Sequence, residues 1–225
     1  MWFAGPARRR PVAGRPRMLR LGFDLRPGMR VGLFGGSFNP AHEGHAHVAE
    51  TALRRLRLQR LIWLVSPQNP LKPTHETAAM TRRLRGALRY AQGPSMIVSD
   101  AETKIGSFYT IDTVRALKGR FPGVCFVWIM GADSLADFHR WRGWTQIMSE
   151  TPVAVVARPH ATLKSRFSPA ARRFARARLP ASAAPTLACR RPPAWVYLSA
   201  PLNFTSSTAL RRTLSVGEAP LQIPS

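Results

Sequence analysis

Six short runs rich in β-branched and apolar residues recur along the chain, at 30–34, 61–65, 96–98, 124–130, 153–157 and 195–198, with stretches of helical period between them. Strands separated by helices cannot pair as tight hairpins. Each connection must cross over, and the product is a parallel sheet covered on both faces, a doubly wound α/β fold. In 45–58, Val48, Leu53 and Leu56 share one side while Arg54, Arg55 and Arg57 occupy the rest. The stretches 78–91 and 111–117 read the same way. No repeat of solenoid period is present. At 225 residues and 45% apolar content the chain has enough material for such a core.

Residues 1–28 break the pattern. They are rich in Arg, Pro and Gly without either period, and read as a basic, disordered arm ahead of a domain at 29–225. An Arg-rich, acid-poor start also resembles an organellar transit peptide, against which the early prolines argue; Met18 or Met29 is an alternative start. The 34 Lys and Arg against 11 Asp and Glu give a formal charge of +23, which attracts polyanions. The charge does not choose among nucleotides, nucleic acid and anionic membrane. The cations are scattered and no nucleic-acid module accompanies them, so no specific nucleic acid is expected, and any nucleic-acid binding, the rival reading, would be nonspecific. No apolar run approaches the roughly 20 residues of a membrane span, so no membrane partner is expected. Cys125 and Cys189 are too few for a disulfide framework and lack zinc spacing, which points to a reducing, cytoplasmic setting. No Asp or Glu occurs from Thr151 to Gly217, and 163–193 reads as a basic helix followed by a Pro and Ala loop on a solvated surface.

The first run leads into GGSFNPAHEGHAH, residues 35–47. Gly35 and Gly36 permit a sharp turn and close approach of a ligand, and a helix starting near Gly44 or His45 points its N–H groups back at that turn. Strand, glycine turn and helix start at the carboxyl edge of a parallel sheet make an anion site. The spacing is neither GxGxxG nor the GxxxxGK[ST] phosphate loop. HExxH is excluded because Ala46 stands where its second histidine must fall. His42, His45 and His47 are left as phosphate donors, turn caps or members of a metal cluster, and no cysteine or carboxylate set completes the last.

His42, Glu43, Gly44 and His45 form an HxGH motif after GGSFNP, and TSSTALR at 205–211 is similar to the second signature, ISSTxxR, of the HxGH nucleotidyltransferase superfamily. Three intermediate stretches, WLVSPQNPLKP (63–73), SFYTIDTV (107–114) and MGADSLADFHRWRGW (130–144), resemble bacterial nicotinate-nucleotide adenylyltransferases in particular. The resemblance spans about residues 29 to 214. It departs at Asn39, where the family usually has Asp, at Phe108, in place of Ser, and at His160, often Gly.

What the resemblance implies is a Rossmann-like nucleotidyltransferase fold and transfer of AMP from ATP to nicotinate mononucleotide. His42 and His45 would be the catalytic pair. Gly35, Gly36, Ser37, Phe38, Asp133, Ser206, Ser207, Thr208 and Arg211 would complete the ATP site with them. Asn69, Lys72, Tyr109, Thr110, Trp141 and Arg158 would hold the mononucleotide, with Trp141 stacking on the pyridine ring. Each has an ordinary alternative: Trp141 and Trp144 as core, Ser206 to Thr208 as a helix cap. Mg²⁺ is implied as cofactor, bound mainly through ATP phosphates and not by a protein metal site.

Overall fold

The computed structural model describes residues 21–67, 78–157 and 165–199. Among them one sheet is formed by β1 (Arg30–Gly36), β2 (Arg60–Val65), β3 (Met96–Ser99), β4 (Cys125–Gly131), β5 (Val153–Val156), β6 (Arg178–Leu179) and β7 (Trp195–Leu198). Its order is β3-β2-β1-β4-β5-β7-β6, and every pairing is parallel. The doubly wound architecture expected from the alternation is the one observed. The helices are α1 (Glu43–Arg55), α2 (Met80–Tyr90), α3 (Ala101–Ile105), α4 (Thr110–Arg120), α5 (Ala132–Asp137), α6 (Trp144–Glu150) and α7 (Pro169–Arg173).

The strands read as continuous apolar runs because both faces of the sheet are covered. Val31, Leu33, Ile62, Leu64, Trp128 and Met130 face one core cluster, which Ile111, Val114 and Leu117 of α4 close. Phe34, Trp63, Val65, Val127 and Ile129 face the other, closed by Val48, Ala49, Ala52 and Leu56 of α1. Alternation along each strand thus divides the core between two layers.

Three expectations change. Leu21 and Leu25 are buried in the α4-side cluster, and Gly28 N–H donates to the Gly123 carbonyl at 2.8 Å. Residues 21–28 therefore pack on the domain although sequence places them in the arm; two leucines among Arg and Pro give no periodicity. The basic 163–193 stretch is not one helix and a solvated loop. From 165 it holds α7, a 3₁₀ turn at Ala175–Ala177, β6 and a 3₁₀ segment at Ala181–Cys189, with Ala184, Leu187 and Ala188 buried on the α1 side of the sheet. Alanine fits both a core and a loop, which hides its burial. Finally, Cys125 and Cys189 form a disulfide across 64 residues, joining the start of β4 to the end of the 3₁₀ segment. That pairing is spatial and leaves no spacing signal. Among the described residues no helix is long and apolar enough to cross a membrane.

Candidate active site

In a parallel sheet all strand carboxyl ends share one edge. From β1 the chain runs through α1 to β2 and β3 on one side, then returns over α3 and α4 to β4 on the other. Connections leave β1 and β4 in opposite directions, so a crevice opens between them above that edge. Residues 35–47 follow β1 into α1 at that edge, and 130–144 follow β4 into α5.

The β1–α1 turn is set by its two histidines. His42, 1% exposed, is the N-cap of α1, and its Nδ1 accepts the Gly44 N–H at 3.0 Å. His45, at the third helical position, accepts the His42 N–H on its own Nδ1 at 3.3 Å. This is a capping box with imidazoles in both roles. The capping alternative is therefore realised, and it leaves room for the chemical one. An Nδ1 that accepts carries no hydrogen, so the neutral ring's hydrogen sits on Nε2, making each ring an N–H donor at that atom. The two rings lie 3.9 Å apart by centroid, and His45 packs against Phe38 at 5.0 Å.

The glycines serve packing more than turning. Neither Gly35 nor Gly36 has positive φ; the left-handed residue is Phe38, at φ 45°, whose ring is buried against Phe34 and Trp63. Phe38, expected at the ATP site, thus offers only backbone there. A Cβ on Gly35 would lie 2.4 Å from the Trp128 ring, and one on Gly36 would meet the Phe38 ring at 3.1 Å. Trp128 is 1% exposed and cannot step aside. Gly35→Ala is expected to destabilise by about 1–3 kcal/mol as an overpacked core, measured by denaturant unfolding; an unchanged midpoint would show that the indole can yield. Asn39, the departure from the family's Asp, accepts the Ala78 N–H on Oδ1 at 3.3 Å, so it ties the turn to the start of α2.

Across the crevice, Asp133 is exposed in the first turn of α5, directly after β4. Tyr109 is the N-cap of α4 and Thr110 its first residue, both half-buried. Trp141 is half-buried in the turn before α6, edge-on to Phe138 at 5.2 Å and Trp128 at 6.3 Å. Part of that indole belongs to the core, as its ordinary alternative holds. Arg142 lies over the Tyr109 ring at 4.5 Å, so the two segments expected at the acceptor are in contact. Asn69, Lys72, Arg158, Ser206, Ser207, Thr208 and Arg211 lie outside the described residues.

Two residues at this edge escape sequence reasoning. Arg83 of α2 is 3% exposed, and burial pulls its guanidinium below the usual arginine range. It donates Nε to the Ala78 carbonyl at 2.9 Å, Nη1 to Ser37 at 3.0 Å and Ser66 at 2.6 Å, and Nη2 to Pro67 at 2.9 Å. It thereby joins the loop after β1 to the loop after β2. The signal was available: Met80, Arg83, Leu84 and Ala87 share one helical face, which places an arginine in an apolar stripe. Glu102 of α3 is 5% exposed, and no charge motif marks it.

A cytidylyltransferase-like family model matches residues 33–213. A protein of Caulobacter sp. (strain K31) named "Probable nicotinate-nucleotide adenylyltransferase" is 72% identical over 183 residues, 81% of this chain and 97% of that one. The chain belongs to the nicotinate-nucleotide adenylyltransferase family. A second member, from Cereibacter sphaeroides (strain ATCC 17025 / ATH 2.4.3), is 53% identical over 82% of this chain and 98% of its own. The fold also matches Plasmodium falciparum nicotinic acid mononucleotide adenylyltransferase, solved with APC and with NaAD. Its TM-score is 0.61 at 15% identity, over 82% of this chain and 83% of that one. At that identity the likeness is one of fold. It reproduces the Rossmann-like nucleotidyltransferase architecture expected from the alternation and the two signatures.

Proposed function

We propose that this chain transfers the AMP moiety of ATP to nicotinate mononucleotide, giving deamido-NAD and pyrophosphate, as a step of NAD biosynthesis in the cytoplasm. The observation that carries the reading is 72% identity across 97% of a relative bearing that name. The crevice geometry supports it. A 5′-phosphate oxygen forms the new bond to the α-phosphorus as the bond from that phosphorus to the bridging oxygen breaks, and the electron pair leaves with pyrophosphate. The nucleophile is already an anion, so no general base is needed. What remains is alignment of two polyanions and neutralisation of charge moving onto the leaving group.

His42 and His45, with hydrogen on Nε2 and their other nitrogens held by caps, are donors fixed before reaction. They belong on the triphosphate, with His45 stabilising the transition state. The α1 N-terminus adds its partial positive charge. Gly35, Gly36, Ser37 and the Phe38 backbone shape the wall. Asp133 serves the ATP ribose, and Ser206, Ser207, Thr208 and Arg211 the outer phosphates. Asn69, Lys72, Tyr109, Thr110, Trp141 and Arg158 form the acceptor pocket. Among the described residues no group of three His, Cys, Asp or Glu stands together to hold an ion. Hydroxyl and imidazole donors suit a Mg²⁺ carried in on phosphate oxygens and water, where it would offset triphosphate charge.

Pyrophosphate release with ATP and Mg²⁺ tests the assignment, with nicotinate mononucleotide, nicotinamide mononucleotide and phosphopantetheine offered separately. The nicotinate form should give a kcat/KM at least about tenfold above the others, a difference of roughly 1.4 kcal/mol in transition-state binding. Preference for another acceptor would keep the fold and phosphate site and discard the pocket.

A further inference from the structure

Behind the Tyr109 turn lies a buried chain of side-chain hydroxyls that the mechanism does not use. Thr113, fully buried on α4, has its Oγ1 3.2 Å from Glu102 Oε1, 3.0 Å from Ser107 Oγ and 3.3 Å from the Tyr109 carbonyl, which also accepts the Asp112 and Thr113 N–H groups. Ser107 O–H donates to the Tyr109 carbonyl at 2.9 Å, and Tyr109 N–H donates back to Ser107 Oγ at 3.3 Å. Ser107 N–H in turn donates to the Glu102 carbonyl at 2.9 Å, which closes the loop onto α3. Glu102 and Ser107 are each 5% exposed, so water does not compete for these contacts.

Each hydroxyl has one hydrogen to give. If Glu102 is neutral, its O–H donates to Thr113, Thr113 donates to Ser107, and Ser107 donates to the Tyr109 carbonyl. Each of these three links then holds a hydrogen, and the Tyr109 carbonyl keeps its helical N–H donors besides. If Glu102 is ionised it can only accept, so Thr113 turns its hydrogen to the carboxylate, and Ser107, with one hydrogen, can serve either Thr113 Oγ1 at 3.0 Å or the Tyr109 carbonyl at 2.9 Å but not both. We propose that Glu102 is a positioning residue for the acceptor: as the neutral acid it heads the chain that fixes the Tyr109–Thr110 turn, and ionisation loosens that turn. The inference rests on the proposed reaction, in which those residues meet the mononucleotide.

Burial raises the Glu102 carboxyl to about 7, opposed by the Thr113 hydrogen bond. Charged groups on the elements packed around it are otherwise engaged or distant in role. Asp100 and Lys104 of its own helix pair at 2.8 Å. On α4, Arg115 is held by Glu150, Lys118 donates to the Glu150 carbonyl, Arg120 lies over the Phe121 ring in the last turn, and Asp112 lies in the first. In the segment before β1, Asp24 accepts the Leu25 N–H; on β2 the charged residue is Arg60, at its far end. Burial and Thr113 are the causes that act on the carboxyl.

The test is the KM for nicotinate mononucleotide between pH 6 and 8.5, in the wild type and in Glu102→Gln. A glutamine amide donates to Thr113 at every pH and so holds the complete chain. The substrate phosphate itself titrates near pH 6, so the readout is the difference between the two enzymes. Relative to Glu102→Gln, wild-type KM should rise about 3- to 10-fold through pH 7, as expected for one lost hydrogen bond, with kcat and the KM for ATP parallel in both. Thr113→Val should carry the high KM at all pH values. Parallel profiles, or a KM for ATP that moves with the other, would overturn the role. A wild type inert toward nicotinate mononucleotide at every pH would instead fail the proposed reaction. Amide exchange over residues 107–113 then decides, with no substrate: protection lost from pH 6 to 8 in the wild type alone supports the chain, and equal protection refutes it.

Discussion

His45→Ala should lower turnover by on the order of 10² or more, the effect of removing one preorganised donor to developing charge. The alanine also removes a helix cap, since His45 Nδ1 accepts the His42 N–H; that costs about 1 kcal/mol and could mimic a catalytic loss by unfolding. His45→Asn separates the two. Its side-chain oxygen can reach the position of Nδ1 and keep the cap, but nothing in asparagine extends to Nε2. Both variants should lose turnover, and only the alanine should lose thermal stability. Steady-state kinetics at saturating ATP with a parallel melt measures this. Asparagine turning over near the wild-type rate would confine His45 to the cap.

The same division between backbone pattern and spatial contact explains what could be read from the chain. Strands β1 to β5 and β7 were legible because a sheet buried on both faces needs unbroken apolar runs, and α1, α2 and α4 because each buries one face; the short α3, α5 and α6 span too few turns to show a period. The strand end, turn and helix start from 35 to 47 were legible because the glycines and histidines that mark them are contiguous. What resisted reading depends on residues far apart in sequence. Gly35 owes its size to Trp128, 93 positions on; Cys125 meets Cys189; Glu102 acts through Ser107 and Thr113. A thiol count on protein unfolded under non-reducing conditions should find neither Cys125 nor Cys189 free.

Arg83→Met should be the most destabilising change at the edge of the crevice, by about 3 kcal/mol or more. The methionine keeps most of the length of the side chain and its apolar stem. It removes the donors that Arg83 supplies to the carbonyls of Ser37, Ser66, Pro67 and Ala78. Hydrogen bonds to a charged group contribute about 1.5–3 kcal/mol each, and buried acceptors left without donors carry their full desolvation cost. The four do not add, because the loops can turn part of this surface to water. At about 2–4 °C per kcal/mol for a domain of this size, the melting temperature should fall by roughly 6–12 °C. Arg83→Lys keeps the charge, but a single ammonium with three donors cannot span four carbonyls arranged around a planar fork, so it should fall between. In the proposed assignment Ser37 stands at the ATP wall and Ser66 and Pro67 lead toward the acceptor loop, so the lysine variant should raise KM for both substrates together. That pattern separates Arg83 from Glu102, whose loss moves the acceptor alone. A methionine variant as stable as the wild type would mean that the two loops hold their places without the guanidinium.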